Sequence, residues 1–179
     1  MSTTMKLIAK TTLTSNPVSV AFDNIPGTYT DLYLVCSMRS TRTGTSWVSP
    51  TITFNAAENS TDYTGRYLRG DGSAASSANA VNTGYHGVNI AVAPTAGHTA
   101  STFTNTKIYV PNYAGSSNKS FSASDAGENN GTNAYIQATA GLWSSTAAIT
   151  KVTIWCNGNV GGHAFSTDSS FFLYGITKA

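Results

Sequence analysis

The alternation of apolar and polar residues along the chain predicts an all-β protein. The alternation is clearest between residues 29 and 39. Four apolar residues there share one parity: Leu32, Leu34, Cys36 and Met38. Successive side chains of a strand point to opposite faces, whereas a helix would scatter residues at this spacing around its surface. We therefore predict a central strand whose Leu/Leu/Cys/Met face lies in the core.

A second strongly apolar segment, residues 170–176, predicts a closing strand. Phe171 and Leu173 share one of its parities. Shorter segments with strand character lie between the two, at 47–55, 63–68, 86–92, 103–110, 119–124, 134–138 and 149–156, and two more precede the central strand, at 6–12 and 18–22. In the segment that begins at residue 134, the apolar residues Ala134, Ile136 and Ala138 share a parity.

Turn signals separate these segments and set the predicted architecture. Residues 70–79 form a low-complexity stretch of small residues that we expect to be a loop, and residues 124–133 form a turn cluster. Many short strands with regular turn signals are typical of a sandwich, jelly roll or barrel. We predict an antiparallel β-sandwich, jelly-roll-like, with about ten short strands. Residues 1–5 would be a short N-terminal arm and residues 6–179 a single domain.

Composition narrows the classes of partner. Only 10% of the residues are charged, the net charge is +2, and Ser, Thr, Asn and Gly supply nearly half of the chain. No basic run is present, whereas nucleic-acid binders usually concentrate Lys and Arg on one surface. No apolar run approaches the ~20 residues that span a bilayer, and the N-terminus lacks the pattern of a secretory signal. We therefore expect neither nucleic acid nor a membrane as a partner.

The two cysteines, Cys36 and Cys156, both fall in predicted strands. We interpret them as small buried thiols, which is how free cysteines usually pack. A disulfide between them would need a Cα separation below ~7 Å. The sequence leaves that pairing open.

Neither a metal site nor a catalytic site emerges from the spacing of reactive residues. The three histidines, His86, His98 and His163, do not have zinc-ligand spacing. Asp125 and Glu128 could offer oxygen ligands to Ca²⁺, but they lack the spacing of a calcium loop, and we expect a solvated turn there. No Gly-x-Ser-x-Gly elbow is present and no carboxylate pair is singled out. We predict no catalytic residue, no cofactor and no metal, and therefore not an enzyme.

The large aromatic residues allow two interpretations. Tyr and Trp at strand ends can fill a sandwich core, or they can contact a sugar or a protein. We expect Trp143 and Trp155 to fill the sandwich core and cap its ends. Trp47 and Tyr113 stay open between the two roles.

Several short stretches, in their order, carry a resemblance to a known family. They are residues 25–34, 52–55, 67–73, 108–113, 141–150 and 173–176, among them the sequences IPGTYTDLYL and GLWSSTAAIT. With these stretches the chain resembles small Ser/Thr-rich structural proteins of tailed-bacteriophage virions, namely capsid decoration (cement) proteins and the related tips of tail fibres. The resemblance implies a β-sandwich, a homotrimer, the major capsid protein as partner, and a place on the virion after assembly in the host cytoplasm.

Three functions are weighed on this basis. The first is a decoration protein that binds the outside of the head lattice. The second is a tail-fibre module that recognises a host surface glycan; the loop 70–79 favours it, and the start of the first strand near Lys6, which leaves no room for an attachment domain, opposes it. The third is an enzyme acting on capsular polysaccharide, which lacks a candidate acid pair.

Overall fold

A computed structural model of the chain describes residues 4–44, 47–58, 60–81, 86–129, 134–157 and 161–177. These residues form twelve strands and a single 3-10 turn, Ser60–Asp62. The strands are β1 (Met5–Thr12), β2 (Ser19–Phe22), β3 (Asp31–Met38), β4 (Thr51–Phe54), β5 (Tyr63–Gly70), β6 (Ala75–Asn79), β7 (Val88–Asn89), β8 (Thr104–Val110), β9 (Lys119–Gly127), β10 (Tyr135–Trp143), β11 (Val152–Trp155) and β12 (Ser170–Ile176). The prediction of an all-β fold is confirmed.

The strands make two antiparallel sheets of unequal size. The large sheet has eight strands in the order β1-β12-β3-β8-β9-β10-β5-β6, and the small sheet has four in the order β2-β11-β4-β7. Their inner sides enclose one hydrophobic core, which is the arrangement of a β-sandwich.

The predicted central strand is β3, which lies between β12 and β8. Its Leu/Leu/Cys/Met face is buried, as predicted. Leu34 stands opposite Leu173 on one side and Ile108 on the other. Across the core, the ring of Phe54 in β4 meets the ring of Phe121 at 5.4 Å, edge to face. The apolar side chains of β3 therefore lie in the middle of the core.

Three boundaries differ from the prediction because strand pairing overrides weak local propensity. β1 begins at Met5, which pairs with Ile176, so Met5 is not part of an arm. The expected loop at 70–79 contains strand β6, which pairs with β5. The expected turn cluster from residue 124 is wrong in its first part, because β9 continues to Gly127 between two neighbouring strands.

The segment predicted as a half-buried strand at 86–92 is wrong in two respects. Only Val88–Asn89 pairs as a strand, and the segment 87–95 is buried on both parities. Its backbone contacts both halves of the sandwich: the amide of Ile90 donates to Pro50 O at 2.9 Å, and the amide of Val92 donates to Asp125 of β9. A chain enclosed on both sides loses the alternation that a half-exposed strand shows.

Strand β10 turns its apolar parity away from the core. Ile136 and Ala138 are exposed, whereas the polar residues Gln137 and Thr139 are buried. The amide of Gln137 donates to the hydroxyl of Thr139 at 3.0 Å, so part of the buried polarity is paired inside the sandwich. This inversion places apolar side chains on the outside of the large sheet.

Candidate interaction surface

The side of the large sheet that faces away from the small sheet is here called the outer face. The pairing register arranges its side chains in rows that cross the strands. In one row Leu68 of β5 stands beside Ala138 of β10, then Ser124 of β9, then Lys107 of β8. The rows on either side are Arg66, Ala140, Ser122 and Tyr109, and Gly70, Ile136, Ala126 and Asn105.

These rows make a trough bordered by larger side chains. The trough consists of the small residues of β9 and β10: Ser122, Ser124, Ala126, Ala138 and Ala140. The ridge on one side consists of Arg66, Leu68 and Ile136. Lys107 and Tyr109 of β8 stand on the other side, and Tyr33 of β3 lies beside Tyr109. The trough is therefore a groove between a ridge that joins two apolar side chains to the cation Arg66 and a second side that is aromatic and cationic.

The outer face carries most of the exposed large hydrophobic side chains of the described residues. Five of the six are on it: Met5, Leu7, Leu68, Tyr109 and Ile136. Leu68 is 60% exposed and Ile136 is 67% exposed. The sixth is Val18, 39% exposed, which precedes β2 of the small sheet. Single exposed apolar residues are ordinary, but a contiguous exposed group on one face marks an interaction site.

The charges on this face are mostly positive. Arg66 and Lys107 are exposed, and Lys10 of β1 stands opposite Phe172. Asp31 lies at the end of the face, where it accepts hydrogen bonds from the hydroxyl of Tyr109 and the amide of Asn112, both at 2.8 Å. The hydrogen bond to Asp31 raises the pKa of Tyr109. Among the described residues, the close contacts between acidic and basic groups, Lys151 with Asp23 and His86 with Glu58, lie elsewhere.

Asp125 lies beneath the trough, on the inner side of β9, and not in a solvated turn as expected. One carboxylate oxygen accepts from the hydroxyls of Thr104 (2.5 Å) and Thr106 (2.7 Å), and the other from the amide of Val92 (2.8 Å). Burial raises the pKa of Asp125, and the three hydrogen bonds lower it in part. Glu128 is exposed. The described residues contain no group of three or more His, Cys, Asp or Glu side chains that could hold a metal ion.

Both cysteines are buried, as predicted, and both are free, which the sequence had left open. Burial raises the pKa of Cys36 to about 12, and the charge of Asp125 contributes to the shift. Burial also raises the pKa of Cys156, to about 11, and its thiol donates a hydrogen bond to Ser40. Neither thiol is suited to nucleophilic chemistry, which needs the thiolate.

The aromatic residues divide between core and surface. Tyr113, which the sequence left open, is fully buried, and Trp143 is in the core as predicted. Trp155 is only partly buried, its indole N–H donates to Thr53 Oγ1 at 3.0 Å, and its ring lies 4.9 Å from His86. Trp155 therefore lies at the end of β11, outside the buried core.

Trp47, also left open by the sequence, is partly buried in a small aromatic cluster. Its ring lies 4.4 Å from His98 and 4.9 Å from Tyr135. The guanidinium of Arg69 lies 5.2 Å from the ring centres of both Tyr67 and Tyr135. Burial lowers the pKa of His98, with a contribution from the charge of Arg39. This cluster combines flat apolar rings with a cation.

The ridge and the trough were not identified as a site from the sequence. One signal was present: Ala134, Ile136 and Ala138 share a parity. That pattern indicates one apolar face of a strand, but it does not tell whether the face is covered. Whether a face of the strand is buried depends on the opposite sheet, which has only four strands.

No family model matches the chain, and no curated protein matches it. Within the described ranges, no helix has the length and apolar character needed to cross a membrane.

Proposed function

We propose that this protein is a structural component of a tailed-bacteriophage virion, a capsid decoration (cement) protein that binds the outside of the head lattice and stabilises it. The observation that supports an assembly role is the concentration of exposed apolar side chains on the outer face. The proposal assigns the protein no catalytic reaction and no cofactor. The assignment to a phage depends on the sequence resemblance.

The dimensions of the outer face suit a protein partner better than a small ligand. Eight strands spaced about 4.8 Å apart, each about seven residues long at about 3.3 Å per residue, give an area of roughly 900 Å². A stable protein–protein interface buries about 800 Å² on each partner. A small-molecule site is instead a concave pocket that encloses most of its ligand.

Stabilisation of the shell would follow from mass action. A protein that binds the assembled lattice and not the free capsid subunit stabilises the lattice by its binding free energy. The partner would be the major capsid protein, and the decoration protein would itself be a homotrimer, as the resemblance implies. A surface with few charges and many Ser and Thr side chains suits close packing at high copy number.

The test is the location and the copy number of the protein on the particle that carries it. Electron microscopy of labelled particles should show it over the head, and quantitative mass spectrometry should give hundreds of copies per virion. Label at the tail tip, together with a few tens of copies or fewer, would contradict the proposal and favour a fibre.

One observation favours a second function, a tail-fibre module that recognises a host glycan. The cluster of Trp47, Tyr135, Tyr67 and Arg69 offers aromatic faces and a cation, which are groups that stack on and pair with sugars. Binding of the purified protein to a glycan array, lost in Trp47→Ala and retained in Val18→Ala, would support this function. Absence of binding by the unchanged protein would exclude it for the glycans on the array.

A further inference from the structure

We propose that β6 is a docking edge for an extended segment of a different protein, which adds to the large sheet as a further strand antiparallel to β6. On the side of the outer face, this segment presents an acidic side chain followed by two long apolar ones at alternate positions. The inference rests on the proposed function only for the identity of the protein that carries the segment, which would be the major capsid protein.

β6 is an exposed edge strand whose hydrogen-bonding pattern is fixed at both ends. It pairs with β5 alone, and all five of its residues are exposed. Just beyond one end of the pair, the amide of Ala80 donates to Gly65 O at 3.0 Å. Just beyond the other end, the amide of Asp71 donates to Ala74 O at 3.2 Å. These two bonds determine which positions between them are bonded to β5.

The alternation of an antiparallel pair then decides which backbone groups of β6 face outward. Ala75, Ser77 and Asn79 occupy the non-bonded positions, so their N–H and C=O groups point away from β5. Within the part of the chain that the structure describes, no strand pairs with this edge. An added antiparallel strand could therefore form about six hydrogen bonds, two at each position.

The other edges of the two sheets are protected against strand addition. β1, the opposite edge of the large sheet, carries Lys6 and Lys10 and has a bulge between Leu7 and Ala9. The edge strands of the small sheet, β2 and β7, have only four and two residues. Charge, bulges and short length are the usual means of blocking an edge. β6, with the sequence ASSAN and an unbroken register, has neither a charge nor a bulge.

A cation lies over β6 on the outer face. Nη1 of Arg66 donates to Asn79 Oδ1 at 3.1 Å and to Gly65 O at 2.8 Å. Both acceptors are neutral, and the contacts between acidic and basic groups within the described ranges lie elsewhere. An acidic residue of the added strand beside Asn79 would give this exposed guanidinium a partner of opposite charge.

Two uncovered apolar side chains lie behind the other outward positions of β6. Leu68 stands opposite Ser77 in the pair of β5 with β6. Ile136 lies beside Gly70, which stands opposite Ala75. A cavity of about 480 Å³ on the outer face has Leu68, Ile136 and Ala75 in its lining. Because Ser77 and Ala75 are small, long apolar side chains of an added strand can lean across β6 into this cavity.

A second copy of this chain lacks the side chains that the edge calls for. Its β6 has neither an acidic residue nor a large apolar one, so it would leave the ridge uncovered. Its β1 would bring Lys6 and Lys10 toward Arg66, which places like charges together. Addition of a strand to an open edge takes its affinity from main-chain hydrogen bonds and its specificity from alternate side chains. The occupant that fits is therefore a segment of another protein.

The first experiment titrates the whole chain with two synthetic peptides, TETLTFT and TKTLTFT, and follows backbone amide signals by NMR. In antiparallel register, the Glu of the first peptide lies beside Asn79, its Leu beside Ser77 and its Phe beside Ala75. TETLTFT should shift the signals of β6 in a saturable way. TKTLTFT should bind about tenfold more weakly, because an exposed ion pair is replaced by a like-charge contact.

The second experiment changes the edge and the cation separately. Ser77→Pro removes an outward N–H that β5 does not use and should abolish binding, whereas Ser77→Thr keeps the N–H and should bind within about twofold. Arg66→Glu should reverse the preference, so that TKTLTFT binds about tenfold more tightly than TETLTFT. Circular dichroism verifies that each variant is folded.

Three results would overturn the inference: no shift of β6 signals at about 1 mM TETLTFT, unchanged binding in Ser77→Pro, or a peptide preference that Arg66→Glu does not move. Pairing of two copies that Ser77→Pro abolishes in sedimentation would make a second copy the occupant and overturn the assignment to another protein.

Experiments on the particle distinguish this inference from the proposed function. Ser77→Pro that still occupies the phage head at full copy number would contradict docking through β6 and leave the decoration role intact. Label found away from the head would contradict the decoration role and leave the peptide results intact.

Discussion

Replacing Asp125 tests whether one buried carboxylate joins the large sheet to the segment 87–95, which contains strand β7 of the small sheet. Its side chain accepts three hydrogen bonds, from the amide of Val92 and the hydroxyls of Thr104 and Thr106. Asp125→Ala leaves the buried amide without an acceptor, which costs about 1–3 kcal/mol. Thr104 can turn toward Ala126 O, 3.2 Å away, and so recover one bond.

We expect Asp125→Ala to lower the free energy of unfolding by about 2–4 kcal/mol in total. Hydrogen bonds to a charged group contribute more than neutral ones, which increases the loss. The variant no longer buries a carboxylate, which offsets part of the loss. At about 2–4 °C per kcal/mol for a chain of this size, the melting temperature should fall by roughly 5–15 °C. Urea unfolding followed by fluorescence measures the free energy directly.

Two variants control this experiment. Asp125→Asn keeps an oxygen for the Val92 amide and an N–H₂ group for the threonine hydroxyls, so its loss should be about 1 kcal/mol. Ser124→Ala changes the neighbouring exposed residue of the same strand and should stay within about 0.5 kcal/mol of the unchanged protein. The reasoning fails if Asp125→Ala is as stable as Ser124→Ala.

The raised pKa of Asp125 also predicts the direction in which the stability deficit of Asp125→Asn changes with pH. Burial raises the pKa of Asp125 in the folded state. The contribution of this group is therefore fully present below the unfolded value of about 3.9 and is lost as the pH rises through the folded pKa. The deficit of Asp125→Asn should be largest in acid and should shrink toward neutral pH. A deficit that grows with pH would contradict a raised pKa.

Two further predictions concern the core. Gly141→Ala would place a methyl group against the ring of Phe121 and should lower the free energy of unfolding by about 1–3 kcal/mol. In the control, Gly70→Ala, the methyl group would lie 3.5 Å from Ile136, and the free energy of unfolding should change by less than about 0.5 kcal/mol. Equal effects of the two substitutions in thermal melts would contradict the packing around Gly141. Cys36 and Cys156 should both resist a thiol reagent in the native protein and both react after unfolding; a disulfide found by mass spectrometry would contradict their free state.

Where a strand has one face in the core and one face outside, the sequence predicted it well. β3 and β12 lie where their alternation placed them, and the bounds of β12 agree with the prediction. The period of two follows from the pleated backbone itself, so it can be read before any partner strand is known. The burial of both thiols was predicted, whereas their free state was left open by the sequence, and Cys156 lies just beyond the end of β11.

The remaining features depended on neighbours that are distant in sequence. Asp125 looks like a turn residue beside Glu128 and Asn129, yet β8 and β10 hold it in a strand and turn it inward. The segment that contains Val92 lost its alternation because it is enclosed from both sides. Local propensity is too weak to decide such positions against the pairing of adjacent strands.

The sequence by itself determined that this chain forms short antiparallel strands with one apolar parity, and it determined much of the middle of the core. Only the tertiary structure decided that eight strands would lie on one side and four on the other, and that Ile136 and Leu68 would face outward. The physical reason is that alternation defines two sides of a strand, whereas the packing of a second layer decides which of them is removed from water.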